Sequence, residues 1–220
     1  MRKKIEEKEN LLGDIIEAFL NNMSLKEMDD FLFLLDIRVA NKKNQILAKK
    51  RKALLGRTNI DSVWLTNNIM VTDPCYEKDV KHQVKLENTR KGEYKCTKLM
   101  IEDPCWGFRV AELQINHVSF PTLEPDIFLN DVGISVDSGQ AGFFDDAYFL
   151  NNRTNKEWYD KICRITDDFS GQIDGLGVIS RAGYGDGLYK LFVGKDPETK
   201  EIVAAKIQFI EPPKKKHETK

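Results

Sequence analysis

Two short polar stretches in this chain carry residue types that do chemistry. One is Val136–Gly142, VDSGQAG, where Asp137, Ser138 and Gln140 put a carboxylate, a hydroxyl and an amide beside a glycine, with Asp145 three residues beyond. The other is SRAGYGDGLY at 180–189, where Gly183, Gly185 and Gly187 alternate with Tyr184 and Asp186. Alternating glycines permit positive φ and let a ligand or a second backbone come close. This is no phosphate loop of the GxxxxGK[ST] kind, because the motif is absent and the segment runs into a strand pattern instead of a helix. The plainer reading is a glycine-rich hairpin in which Asp186 caps a turn.

Two chemistries follow if these turns converge. Asp137, Asp145 and Asp186, with Asp73 as a fourth, would offer oxygen ligands of the kind Mg²⁺ or Mn²⁺ prefers, and such a metal could activate water against a phosphate ester. Without a metal, the default here, Asp137, Ser138, Gln140, Asp145, Asp73 and Tyr76 would supply polar edges for a small nucleotide-like ligand. Arg109 would then take a phosphate, and Tyr184 or Trp106 would stack on a ring. Nucleophilic catalysis has little support. Ser138 lacks a GxSxG context, and His117 is a lone histidine at a strand end.

Elements must hold these turns. Residues 57–211 read as a β-rich body. Ser62–Leu65 and Ile69–Thr72 are short strand patterns, and Glu93–Glu102 and Gly107–His117 longer ones. Asp73-Pro74-Cys75-Tyr76 and Asp103-Pro104-Cys105-Trp106 repeat one turn chemistry, a turn used twice, with Cys75 and Cys105 as candidate neighbours across a sheet. Residues 120–129 carry two prolines and read as a loop. Val132, Ile134 and Val136 start a strand that breaks at Asp137. Trp158, Tyr159, Ile162 and Ile165 recur at helical spacing over 156–168. Strands follow near 177–180 and 188–193, with a turn over 196–200 and a last strand over 201–210.

Residues 1–56 read differently, as a helical arm. Ile5, Leu12, Ile15, Ile16, Phe19 and Leu20 mark an amphipathic helix over 3–21. Ser24 and Glu27 form a capping box opening a second helix that runs to about Leu55, with Gly56 as its stop. The expected product is a helical hairpin serving self-association or a protein partner. The eight basic residues between Ile37 and Arg57 have no interleaved aromatic, so they read as a solvated helix end and nucleic acid is not the expected partner. Residues 212–220 read as a disordered basic tail. The fold class expected is therefore α+β: an N-terminal helical hairpin, then a mainly antiparallel β-sheet body with one covering helix.

Composition sets the outer bounds. The chain has 220 residues, 41% apolar and 31% charged, with a net charge of −1, so no global field draws it to nucleic acid or a membrane. No apolar run approaches a membrane span, and no signal core follows the basic N-terminus. Four widely spaced cysteines without CxxC suggest reduced, mostly packed thiols, and a cytoplasmic location.

DPCY at 73–76, RVAEL at 109–113, VDSGQAG at 136–142 followed by Phe144-Asp145, Trp158-Tyr159 and SRAGYGDGLY at 180–189 together resemble an uncharacterised bacterial and phage domain-of-unknown-function family. The resemblance covers residues 64–210. It implies a phage or prophage origin and marks Asp73, Tyr76, Arg109, Glu112, Asp137, Ser138, Gln140, Asp145, Tyr184, Asp186 and Tyr189 as the pattern's polar positions. It implies no established activity. Three functions are thus expected to compete: a ligand-binding protein holding a nucleotide-like molecule, a metal-dependent phosphoester hydrolase using Asp137, Asp145 and Asp186, and an interaction module acting through residues 1–56.

Overall fold

The computed structural model describes residues 55–76, 83–129 and 133–211, together with Arg38, Val39 and Lys42. Among the described residues twelve strands pair into two sheets, with neighbouring strands antiparallel throughout. The larger sheet runs β1 (Gly56–Leu65), β4 (Gly92–Asp103), β5 (Gly107–His117), β12 (Ile202–Gln208), β11 (Gly187–Lys195) and β6 (Ile127–Phe128), and β7 (Ile134–Val136) also pairs with β11. The smaller sheet runs β3 (Val84–Leu86), β2 (Ile69–Thr72), β8 (Gln140–Asp145), β10 (Gly177–Arg181) and β9 (Ser170–Ile173). Two helices, α1 (Asp146–Asn152) and α2 (Lys156–Asp167), follow β8.

The alternation of side chains along a strand builds three layers from this list. Ile69, Val71, Phe143 and Val178 of the smaller sheet enter one core with Tyr94, Cys96, Leu113, Ile115, Leu191, Val193 and Ile207 of the larger sheet. Their sequence neighbours Met70, Phe144 and Ile179 point the other way, into a second core closed by Phe149, Trp158 and Ile162 of the helices. The smaller sheet is therefore apolar on both faces, and reads in sequence as a continuous run such as AGFF instead of a clean alternation.

The expected fold class is corrected on this evidence of layers. The described residues are mostly antiparallel β-sheet in two sheets, not α+β, and two helices cover the smaller sheet where one was expected. A helical hairpin over residues 1–56 is not supported. Apart from Arg38, Val39, Lys42 and the start of β1, that segment lies outside the described residues, as does the tail at 212–220.

Several local expectations also change. β1 begins at Gly56, six residues before the expected run, because its first half sits at a sheet edge with alternating exposure. The missed helix α1 starts at an aspartate: the Asp145 carboxylate accepts from Tyr148 N–H at 3.1 Å, an N-cap directly after a strand. α2 is capped by Asn155, whose side chain accepts from Glu157 N–H. Its buried stripe is Trp158, Ile162 and Thr166, while Tyr159 stands exposed. Residues 127–128, read as loop, form the two-residue edge strand β6. Two of the cysteines, Cys75 and Cys105, are exposed instead of packed.

Candidate functional site

The two DPC turns have the same construction. In each, the aspartate Oδ1 accepts from the cysteine N–H two residues on, at 2.8 Å for Asp73 with Cys75 and 2.8 Å for Asp103 with Cys105. Proline between them presets φ for the turn. Their surroundings differ. Asp73 is fully buried, and Asp103 is at the tip of the β4–β5 hairpin.

Asp73 organises the VDSGQ turn. Its Oδ2 accepts from the consecutive N–H groups of Asp137 (2.8 Å) and Ser138 (2.7 Å), and its Oδ1 accepts the Ser138 hydroxyl at 2.8 Å. Two successive backbone donors form an anion nest, and here the protein's own carboxylate fills it. Asp73 is therefore a keystone of the turn and is not open to a ligand. Tyr76 is set behind it, its hydroxyl 3.1 Å from Ser135 Oγ. Trp158 of α2 joins the same knot by donating from Nε1 to Pro74 O at 2.9 Å.

Cys75 lies beside Ser138 and Cys163; the residue is exposed overall, but partial desolvation of its thiol, with the nearby Asp73 charge, pushes it up to about 11 against an opposing hydrogen bond from Ser138. Cys105 is instead near Tyr184, so the two DPC cysteines do not meet as expected.

Asp103 and the GYGDG turn make the second contact. Tyr184 donates its hydroxyl to Asp103 Oδ2 at 2.8 Å. That bond, with the N–H groups of Trp106 and Cys105, holds the Asp103 carboxyl below its usual range, and raises Tyr184. The Trp106 and Tyr184 rings meet edge on at 6.3 Å, and the Arg109 guanidinium lies 5.8 Å from the Trp106 ring centroid. Arg109 spends one donor on Phe108 O at 2.8 Å and, among the described residues, has no carboxylate within ion-pair distance.

Beside these two turns lie two neighbouring cavities. The first, about 210 Å³, is lined by Phe108, Arg109, Val110, Gly139, Phe169, Arg181, Ala182, Gly183, Tyr184 and Gly185. The second, about 240 Å³, is lined by Ser138, Gly139, Gln140, Cys163, Thr166, Asp167 and Arg181. Gly139 and Arg181 belong to both. Gly139 (φ 69°) and Gly185 (φ 111°) take backbone conformations that a side chain would strain. A Cβ at Gly139 would also stand 3.9 Å from Gly185 Cα, so the two motif turns approach where glycine occupies both sides.

Arg181 is positioned by the C-terminus of α2. Its Nε donates to Thr166 O at 2.7 Å and its Nη2 to Asp167 O at 3.1 Å, while its guanidinium lies 5.1 Å from the Phe169 ring centroid. A cation on the last carbonyls of a helix is held by both hydrogen bonds and the macrodipole.

The structure thus sorts the expected site residues. Arg109, Ser138, Gln140 and Tyr184 line the cleft. Asp137 and Asp186 are exposed at its margins and are not among the lining residues. Asp145 is buried and committed: besides capping α1, its Oδ2 accepts from Thr66 N–H and Oγ1. Among the described residues no group of three or more His, Cys, Asp or Glu is arranged to hold a metal ion. Asp137 and Asp186 flank the paired Val136 and Gly187 at the end of the β7–β11 ladder, and Asp145, committed to Thr66 and the α1 cap, does not join them. His117 is buried, with Nδ1 accepting from Ser119 N–H at 3.2 Å and its ring edge on Tyr94.

Sequence reasoning missed Arg181, Cys163, Thr166 and Asp167. Arg181 stood inside the SRAGYGDG motif and carried a signal; Thr166 and Asp167 carried none, and Cys163 read only as one of the mostly packed thiols. The chain matches no protein-family model, no curated protein and no solved structure, so the family resemblance rests on the motifs alone.

Proposed function

We propose that this protein binds a small nucleotide-like ligand in the cleft between the DSGQ and GYGDG turns, with kinship to the motif family as part of the same reading. The observation that carries it is Arg109. This half-buried guanidinium has no carboxylate partner among the described residues, lies against the exposed ring of Trp106, and opens on a cleft lined by both motif turns. A guanidinium fork suits a phosphate, and the exposed Trp106 and Tyr184 rings suit a planar group beside it. Cleft residues offer no nucleophile paired with a base, so the reading is binding without turnover. Among the described residues no helix is long and apolar enough to cross a membrane, and the four free thiols fit a reducing cytoplasm.

Titration with nucleoside monophosphates, followed by tryptophan emission and by calorimetry, tests this. Binding should quench emission, and Trp106→Phe should abolish the quench while keeping the heat of binding. Arg109→Gln should weaken binding ten- to a hundredfold, the value of a charge-assisted hydrogen-bond pair. Absence of heat and of quenching with every nucleotide at millimolar concentration would overturn the reading.

A further inference from the structure

The cavity beside Arg109 measures about 210 Å³. A small-molecule site usually encloses roughly 300–1,000 Å³, so a ligand of nucleotide size needs one wall of this cavity to move. The walls are not held alike. On one side Arg181 ends β10, a strand paired with both β8 and β9, and its guanidinium is fixed on Thr166 O and Asp167 O. On the other side stand Phe108, Arg109 and Val110 of the β4–β5 hairpin.

That hairpin outruns the sheet. β1 pairs with β4 only as far as Gly56 with Met100, and β12 pairs with β5 only as far as Gln208 with Glu112. β4 and β5 continue together to Asp103 with Gly107. Among the described residues, 101–109 therefore form a two-stranded arm with no third strand on either edge. Its root is firm. Met100 and Val110 face each other, both 1% exposed, and Ala111 O accepts from the N–H groups of Phe209 and Ile210. At that root the register slips between Leu99 and Met100, a bulge, and bulged strands bend. Beyond it Phe108 rests half-buried on the core, and residues 104–107 at the tip are exposed. Among the described residues a single hydrogen bond ties the arm to the rest of the body, donated by the Tyr184 hydroxyl to Asp103 Oδ2 at 2.8 Å.

We infer that residues 101–109 are a hinged lid on the Arg109 cavity, an inference that rests on that cavity being the ligand site. The arm bends at the bulge, and the Tyr184–Asp103 hydrogen bond latches it shut. Opening draws Phe108 and Arg109 outward together, which enlarges the cavity and presents the guanidinium to an entering phosphate. Closing brings both back against the GYGDG turn. Asp103 is outside the cavity lining, and its part is to hold the lid through Tyr184 without touching the ligand.

Relaxation-dispersion NMR on the full chain without ligand tests the lid, since hinged motions fall in the microsecond-to-millisecond range. Amides of 101–109 and 183–185 should show exchange with one common rate, while those of 113–116 in the sheet stay flat. Asp103→Ser is the companion variant. Its hydroxyl still accepts from the N–H groups of Cys105 and Trp106 but is too short to reach Tyr184. It should raise the open population about tenfold, the value of a charge-assisted hydrogen bond, at an unchanged urea midpoint. In stopped flow, AMP should associate with it faster than with the parent by a similar factor. Flat profiles over 101–109 in the parent overturn the lid whether or not AMP binds, and the parent's profiles decide alone if the variant unfolds. Exchange that Asp103→Ser leaves unchanged, or AMP association at one rate in both proteins, overturns the latch while the nucleotide reading stands. Exchange that responds to Asp103→Ser in a protein that binds no nucleotide leaves the moving arm and overturns the nucleotide reading.

Discussion

Asp73 offers the sharpest test of how the site is built. Its carboxylate takes four hydrogen bonds, from the N–H groups of Cys75, Asp137 and Ser138 and from the Ser138 hydroxyl, all between 2.7 and 2.8 Å. A bond to a charged acceptor contributes about 1.5–3 kcal/mol, but four donors sharing one buried group are not additive. Asp73→Ala strands three backbone donors in a place fully closed to water, and the expected loss is about 4–6 kcal/mol. Asp73→Asn is the more telling variant. Its shape is nearly unchanged, yet its amide can accept from only one pair of donors while its NH₂ confronts the other pair. A loss of about 2–4 kcal/mol should follow, with the same urea m-value. Ser138→Ala should cost about 1 kcal/mol in the parent and less than half of that in the Asp73→Ala background, because its partner has gone. Urea unfolding followed by tryptophan emission measures all four. An Asp73→Asn protein within 1 kcal/mol of the parent would refute the keystone role.

Other expectations concern groups outside the cleft. Ser180 is fully buried and its hydroxyl has no partner among the described residues, so Ser180→Ala should stabilise the protein by about 1 kcal/mol in the same urea assay; a loss would mean the hydroxyl has a partner. Acid should destabilise in two stages. Burial pushes the His117 imidazole below its ordinary 6.5, so an unfolded chain takes up that proton first and stability declines as pH falls from 6.5 towards the folded value. Glu201, held down chiefly by Arg90, and Asp196, held down chiefly by the Glu198 N–H, keep their charge below the ordinary 4.5 and 3.8. Their contribution is whole above those values and is lost as pH falls through the lower folded ones. His117→Gln should flatten only the first stage of a urea-midpoint profile against pH, whereas Arg90→Met should flatten the second and also reduce the first, because the Arg90 charge helps to lower His117. Cys75, with its thiol near 11, should alkylate with iodoacetamide at pH 8 far more slowly than a free thiol in a peptide; equal rates, read by peptide mass, would contradict that shift.

How much of this was legible depended on whether a residue's role was local. The strands Ile69–Thr72 and Gly107–His117 announced themselves by β-prone runs bounded by turn residues, and the DPC turns by chemistry contained in four positions. α1 escaped because seven residues give too little periodicity, and its cap, Asp145, looked like a ligand. A carboxylate's sequence neighbours do not say whether it faces solvent, as Asp137 does, or a distant threonine such as Thr66. The cleft was half visible: its two motif turns could be named, but the wall of Cys163, Thr166 and Asp167 exists only because α2 docks by Trp158 onto Pro74, 84 positions away.

The Asp73 knot also has a bearing on the order in which the chain folds. Its donors at 137 and 138 lie 64 and 65 positions downstream, so the carboxylate must stay hydrated until a long loop has closed around it. The β4–β5 hairpin, joined by its own tight turn, has no such wait. Hairpins of that kind form within microseconds, whereas contacts of large sequence separation come later. Substitutions at Asp73 should therefore accelerate unfolding and leave the refolding rate nearly untouched. The VDSGQ turn is then set only after the β4–β5 hairpin has formed, so the binding surface depends on a contact made later than the sheet beside it.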